Sequence, residues 1–267
     1  MGNFNVSPSA YVLFSLFGFP ITNSFLMSVT VSLIIAVSVA FLIGRPQLRP
    51  SRAQGTLEVL IEGLQGMFRP VIGDRMMPVT FPLLMSFFIF ILIQNWSGLI
   101  PGVGTVGIVD MHEGERHLTY FLRPPNTDLT NAVALGLISF AAWIFYVLRY
   151  AGLKNFLHEL FGSKIKKSEV SAAIFYPMCV LFFLVGCIEV ISILIRPVSL
   201  SFRLFGNMFG GENLLMNISG LVLWILPIPI YFMELMVGIV QAFVFTMLTA
   251  VYIGLACNHP TEETHHI

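Results

Sequence analysis

Charge is what this sequence has least of. Of its 267 residues only 10% are Asp, Glu, Lys or Arg, in equal numbers of each sign, whereas 56% are hydrophobic. Such a chain cannot cover itself with polar surface, which excludes an ordinary soluble domain. Cysteine is scarce too. Cys179 and Cys187 lie eight residues apart in an apolar stretch; on a helix that is about 12 Å, too far for a disulfide, so they read as small packing residues. No Lys or Arg precedes Arg45, so the basic start of a secretory signal is missing and the first apolar segment reads as a retained helix. Walker, zinc-ligand and nucleophile patterns are missing as well. That argues against a self-contained enzyme and leaves no metal, cofactor or nucleic acid to expect.

What is present is apolar length. Ser24–Ile43, Pro82–Ile100 and Leu129–Leu148 are each free of Asp, Glu, Lys and Arg and, at about 20 residues, can cross the hydrocarbon of a bilayer as helix. Residues 172–257 suffice for two further passes and carry only Glu189, Arg196, Arg203, Glu212 and Glu234 as charges. The expectation is an all-α integral membrane protein with about five embedded helices. The expected elements are an extracytoplasmic segment 1–23 and a single membrane domain 24–257. Within that domain lie spans at 24–44, 79–100 and 129–150, an interfacial helix at 51–71, a long helix at 172–217 bent near Pro197, and a long helix at 220–257. A cytoplasmic tail, 258–267, ends the chain.

Basic residues set the orientation. Arg45, Arg49, Arg52, Arg69 and Arg75 follow the first span, and Arg149, Lys154, Lys164, Lys166 and Lys167 follow the third. The positive-inside rule puts both stretches in the cytoplasm. The loop Pro101–Asp128 holds Asp110, Glu113, Glu115 and Asp128 against Arg116 and Arg123, which fits the outer side. The N-terminus is therefore expected outside and the tail inside. His259, His265 and His266 in that tail read as a solvated end.

Between the first two spans, Leu57, Leu60, Ile61, Leu64, Met67 and Phe68 recur at helical spacing, with Glu58, Glu62, Gln65 and Arg69 on another face. This is the pattern of an amphipathic helix at the membrane surface, serving as an anchor or as a docking surface for a partner.

The intramembrane charges carry the functional signal. A seven-residue step turns a helix about 700°, so Glu189, Arg196 and Arg203 fall on one stripe, and Asn207, one turn on, stays near it. Glu212 is nine residues past Arg203, about half a turn away, and points elsewhere. On the last helix Glu234 and Gln241 share a face, beside a stripe of Gly238, Ala242, Thr246, Ala250 and Gly254. Small residues let helices approach in lipid. Gly206 and Gly210 offer a similar opportunity beside Arg203, for helix packing or for a surface against which another helix slides.

Separated intramembrane carboxylates can relay protons, whereas a guanidinium, always protonated, can act as a barrier or counter-ion but cannot pass a proton on. The residues thus describe a route for an ion, in two half-pathways with a positive block between them. The plain alternative is a structural buried pair between Arg203 and a Glu. Another is an independent secondary transporter in which Arg203 binds an anion, though no internal repeat supports it.

Arg203-Leu204-Phe205-Gly206-Asn207-Met208 followed by Gly211-Glu212 closely resembles the signature of subunit a of the F-type ATP synthase. Glu189, the Arg196-Pro197-Val198-Ser199-Leu200 approach, Gln241-Ala242-Phe243, the Asn95-Trp96-Ser97-Gly98-Leu99-Ile100-Pro101 end of the second span and Pro125-Asn126-Thr127-Asp128-Leu129 are similar as well. The likeness runs over about residues 24–257. It implies the stator half of a rotary proton path beside a ring of c subunits, with peripheral-stalk b subunits and, indirectly, F1 as further partners. The chain would be an ion-translocating subunit rather than an enzyme by itself.

On that resemblance Arg203 is the essential barrier and counter-ion to the ring carboxylate. Glu212, Asn207, Glu234 and Gln241 belong to the outside-facing half-channel. Glu189, with Ser192 or Ser199, lines the inside-facing exit, and Asp128 lies near the outer mouth. The resemblance also tilts the last two helices along the ring. One departure matters: some relatives place His at the Glu234 position, so here two carboxylates, Glu212 and Glu234, can share the outer pathway and titrate as a coupled pair. Topology and the missing transit peptide favour a bacterial plasma membrane.

Overall fold

A computed structural model describes residues 12–16, 19–43, 52–100, 103, 107–112, 115–120, 123–161, 172–221 and 227–257. The histidine-bearing tail, residues 222–226 and several of the orienting basic residues (Arg45, Arg49, Lys164, Lys166 and Lys167) lie outside the described residues.

Seven α-helices dominate. They are α1 (Asn23–Ile43), α2 (Arg52–Ile72), α3 (Met77–Ser97), α4 (Leu129–Tyr146), α5 (Leu153–Phe161), α6 (Ala172–Leu221) and α7 (Pro227–Cys257). Five are long and apolar enough to cross a membrane, within Asn23–Phe41, Met77–Ser97, Leu129–Ala151, Met178–Ile218 and Pro227–Cys257. The all-α membrane architecture expected from composition is thus present.

The sequence reading assigned no element to two antiparallel hairpins. These are β1 (Val12–Leu16) with β2 (Phe19–Thr22), and β3 (Gly107–His112) with β4 (Glu115–Tyr120). It also gave no helix to α5. Too short and too polar to register as a span, α5 follows a π-helical turn at Val147–Ala151 and Gly152, whose φ of 81° suits a residue without Cβ. The long helices differ from expectation at their junction. α6 continues to Leu221 and α7 starts at Pro227, where proline at the first turn costs no hydrogen bond.

Length decides how α6 sits. Its 41-residue apolar stretch measures roughly 60 Å at 1.5 Å per residue, about twice the hydrocarbon thickness. Such a helix is longer than a perpendicular crossing needs, an excess that tilting or kinking accommodates.

The core forms where small residues let helices close up. A methyl group at Gly238 would sit 3.2 Å from the Trp96 ring, so α3 and α7 meet there. Trp96 donates its indole N–H to the Leu235 carbonyl at 3.2 Å, and Phe87 packs edge-on against Phe245 at 5.7 Å. α4 closes onto α6 at Gly136, whose missing side chain leaves room for the Pro197 carbonyl and the Ser201 hydroxyl. It meets α7 through a 2.9 Å Ser139–Thr249 hydrogen bond and through the Trp143 indole N–H, which donates to the Tyr252 carbonyl at 3.0 Å. The stripe Gly238, Ala242, Thr246, Ala250 and Gly254 is a packing seam, buried along its length.

α2 is amphipathic, but Leu60 and Met67, placed on its apolar face by spacing, are exposed. Leu64, Phe68 and Ile72 are buried, and the Val71 carbonyl fills the space a side chain at Gly254 would need, so this helix packs on the end of α7. Val59 and Met67 remain exposed. α1 lies at the edge of the bundle, with Leu33, Ile34, Val37 and Phe41 exposed on an apolar surface suited to lipid.

Candidate functional site

Arg203 projects from the exposed side of α6. The buried side of this helix is Ile193, Pro197, Leu200, Ser201, Leu204, Met208 and Gly211, spaced by three or four residues, whereas Glu189, Ser192, Ser199, Arg203, Gly206, Asn207 and Gly210 are exposed. The helical repeat makes these opposite faces. Among the described residues ion pairs join Arg69 to Asp74 and Arg123 to Glu212, and Arg203 joins none. A guanidinium on an apolar, lipid-length helix with no acid paired to it among the described residues is costly in hydrocarbon. It calls for something outside this chain to face it.

Two expectations about this face need correction. Arg196, placed by spacing on the same stripe, is half-buried with its guanidinium carbon 4.7 Å above the centre of the Tyr252 ring. Its long side chain bends toward the cation–π contact on α7, which spacing alone cannot reveal. Gly206 and Gly210, for which helix packing was one expectation, have nothing within 4 Å of where a Cβ would stand. Among the described residues they pack against no helix. They leave the surface beside Arg203 flat.

The other side of α6 meets α7 and the segment ahead of α4. Glu234 is 4% exposed and its carboxylate lies against the backbone of Gly211, where any side chain would overlap it. Glu212 follows at once and turns toward Arg123, with the Arg123 Nη2 to Glu212 Oε2 distance 3.6 Å. Glu212 and Glu234 are thus neighbours, as the shared-pathway reading requires. Asn207 bridges from the exposed face by donating its amide to the Gln241 carbonyl oxygen at 2.7 Å. The Gln241 amide nitrogen is buried without a hydrogen-bond partner, an unmet donor in a seam that already holds two acids.

Asp128 is buried and accepts from the Thr130 N–H at 3.1 Å, capping α4. It lies one residue beyond Thr127, whose carbonyl is 3.5 Å from Arg123. The site-facing ends of α3 and α4 also hold an amide network that sequence reasoning missed. The Asn95 amide donates to the Gly238 carbonyl at 3.1 Å, Asn126 to the Asn95 oxygen at 2.6 Å, and Asn131 to both Asn126 and Gln94 at 2.7 and 3.0 Å. Gln94 continues it to Ser28 of α1 at 2.9 Å. A signal was available in the concentration of Asn and Gln at the edges of otherwise apolar windows. Only the fold pairs them.

The sequence model of the ATP synthase A chain family matches residues 25–254. The chain belongs to that family. It is 31% identical to ATP synthase subunit a of Aliarcobacter butzleri (strain RM4018), over 86% of this chain and 89% of the relative. It is 33% identical to ATP synthase subunit a 2 of Syntrophotalea carbinolica (strain DSM 2380 / NBRC 103641 / GraBd1), over 83% and 78%. With subunit a of Gloeobacter violaceus (strain ATCC 29082 / PCC 7421) it shares 31% identity over 81% and 75%. Membership makes it a multi-pass membrane component serving proton transport and ATP synthesis. The residues around Arg203 lie inside the matched region.

Proposed function

We propose that this chain is the stator of a rotary motor and builds two offset proton half-channels beside a rotating ring of c subunits. Arg203 stands between them. As each ring carboxylate arrives, the guanidinium favours its ionised form and so drives proton release, while its fixed charge blocks direct leakage from one half-channel to the other. Glu212, Glu234, Asn207 and Gln241 form the outside-facing half, with Asp128 near its mouth. Glu189, Ser192 and Ser199 form the inside-facing exit. The membrane potential supplies about 2.3 kcal/mol per charge per 100 mV to this transfer.

One observation carries the reading: an exposed, internally unpaired Arg203 on an apolar helix, flanked by the open glycines Gly206 and Gly210. The flat strip gives a neighbouring helix room to pass, and the cation gives a passing carboxylate a partner. Proposed partners are the c-ring, the peripheral-stalk b subunits and, through them, F1. The N-terminus faces outward and the C-terminus the cytoplasm of a bacterial plasma membrane, which puts the Arg123 end outside. By itself the chain is not an enzyme.

The test is Arg203→Ala in inverted membrane vesicles, with ATP-driven proton uptake measured and the complex purified. Loss of uptake with c-ring and stalk still co-purifying is expected. Normal uptake, or purification free of any ring, would overturn the proposal.

A further inference from the structure

Arg123 stands in the loop ahead of α4, where its charge looks like one of several on a polar connection. Its side chain is only 5% exposed and its guanidinium approaches Glu212, itself 12% exposed, at 3.6 Å. A charge from outside the spans has been drawn between helices, and such burial is sustained only by a partner. The geometry points to Arg123 as a positioning residue for the outer proton pathway, mooring the Glu212 carboxylate at the α3–α4 end and holding it apart from Glu234. This rests on the half-channel reading above.

The mooring point is fixed. The Pro124 ring fills the space in front of Gly98, where a Cβ would stand 2.8 Å from it, and the Asn126 amide is bound to Asn95 at 2.6 Å. Between them Thr127 closes a turn by donating its hydroxyl to the Pro124 carbonyl at 2.8 Å, and its own carbonyl lies 3.5 Å from Arg123. α3 and the start of α4 thus hold the guanidinium as a rigid reference. Glu212 belongs to a different element, α6, and α7 adds a second acid, Glu234, against Gly211. The charged groups on the elements packed here are Arg123, Asp128, Glu212 and Glu234. Arg123 is the cation of that set. Without it two carboxylates would stand side by side, free to share one proton.

The holo-complex in membrane vesicles supplies the test, with Arg123→Gln, Arg123→Lys and Arg123→Gln/Glu212→Gln compared. For Arg123→Gln, ATP-driven proton uptake should fall about fivefold or more, the scale of a broken neighbour coupling. The outer pH giving half-maximal ATP synthesis should move upward by about one unit, because losing a cation beside carboxylates favours their protonated forms. Arg123→Lys should restore most of the uptake and leave the pH profile in place. A purely structural role would lower the amplitude at every pH without moving the profile, and that outcome, or wild-type behaviour of Arg123→Gln, overturns the inference. Should Arg123→Gln not accumulate in membranes, the double variant decides: removing both charges should bring the complex back, and continued absence contradicts the pairing. Arg203→Ala serves as the control. If it still pumps, the half-channel reading has failed; if it is inactive while Arg123→Gln is normal, only the role of Arg123 has.

Discussion

Asn207 on α6 and Gln241 on α7 are joined by a 2.7 Å hydrogen bond, one helical turn from Arg203. Asn207 is exposed and Gln241 is 3% exposed, so this bond runs from the face that bears Arg203 into the seam between the two helices. Seven residues before Gln241 on the same helix stands Glu234. The polar groups therefore form a graded series, from the scaffold of α3 and α4 through the acids to the open face, rather than scattered exceptions in an apolar bundle.

Glu234 is the member of that series best placed to carry a proton, since Glu212 is held by Arg123, whereas Glu234 lies against the Gly211 backbone. Replacing it with Gln keeps the shape and removes the exchangeable charge. ATP-driven proton uptake by vesicles carrying Glu234→Gln should drop by about a hundredfold, the lower end of the range for losing a positioned acid–base group. Unchanged uptake would show that Glu234 is no relay.

The glycines of α6 divide into two kinds, and alanine separates them. At Gly211 a methyl group would collide with the Glu234 carboxylate, whereas at Gly206 it meets nothing. Gly211→Ala should therefore disturb the acid site and cost about 1–3 kcal/mol of stability as overpacking. Gly206→Ala should leave thermal stability unharmed or raise it by up to about 1 kcal/mol, yet slow proton uptake by the complex if a helix passes over that face. Wild-type uptake in Gly206→Ala at wild-type levels of complex would remove the case for a close sliding contact there.

Much of this was legible in the sequence. Charge-free windows gave the first, second and third spans, and the step of about 900° from Arg203 to Glu212 correctly sent the two to different sides of α6. Periodicity likewise put Leu64 and Phe68 on the apolar face of α2, where they are buried, though it put the exposed Leu60 and Met67 there too. What spacing could not give was any contact that depends on a flexible side chain or a long loop. Arg196 left its stripe because Tyr252 offers a ring, and Arg123 reached Glu212 only because Pro124 and Asn126 pin the loop to α3. Gly206 and Gly210 had the spacing of a packing motif, but a motif does not say whether its partner is in the same chain.

The amide network makes a stability prediction independent of transport. Asn95→Leu would leave the Gly238 carbonyl and the Asn126 amide without their partner. The unmet Asn126 amide costs about 1–3 kcal/mol if it stays buried, whereas the Gly238 carbonyl keeps its bond within α7. Thermal unfolding of the purified complex should begin earlier for this variant, with α3 and α7 parting first as read by protection of their amides from hydrogen exchange. A Leu variant as stable as the parent would mean that water replaces the lost bonds.

The central claim is that Arg203 faces a carboxylate belonging to another subunit. The most direct measurement is the distance from its guanidinium to the nearest ring carboxylate in a structure of the assembled complex. The account predicts a separation of about 4–6 Å, close enough to favour ionisation, with Gly206 and Gly210 against the passing ring helix. An Arg203 turned to lipid, or paired with Glu189 of its own helix and remote from any ring acid, would contradict it.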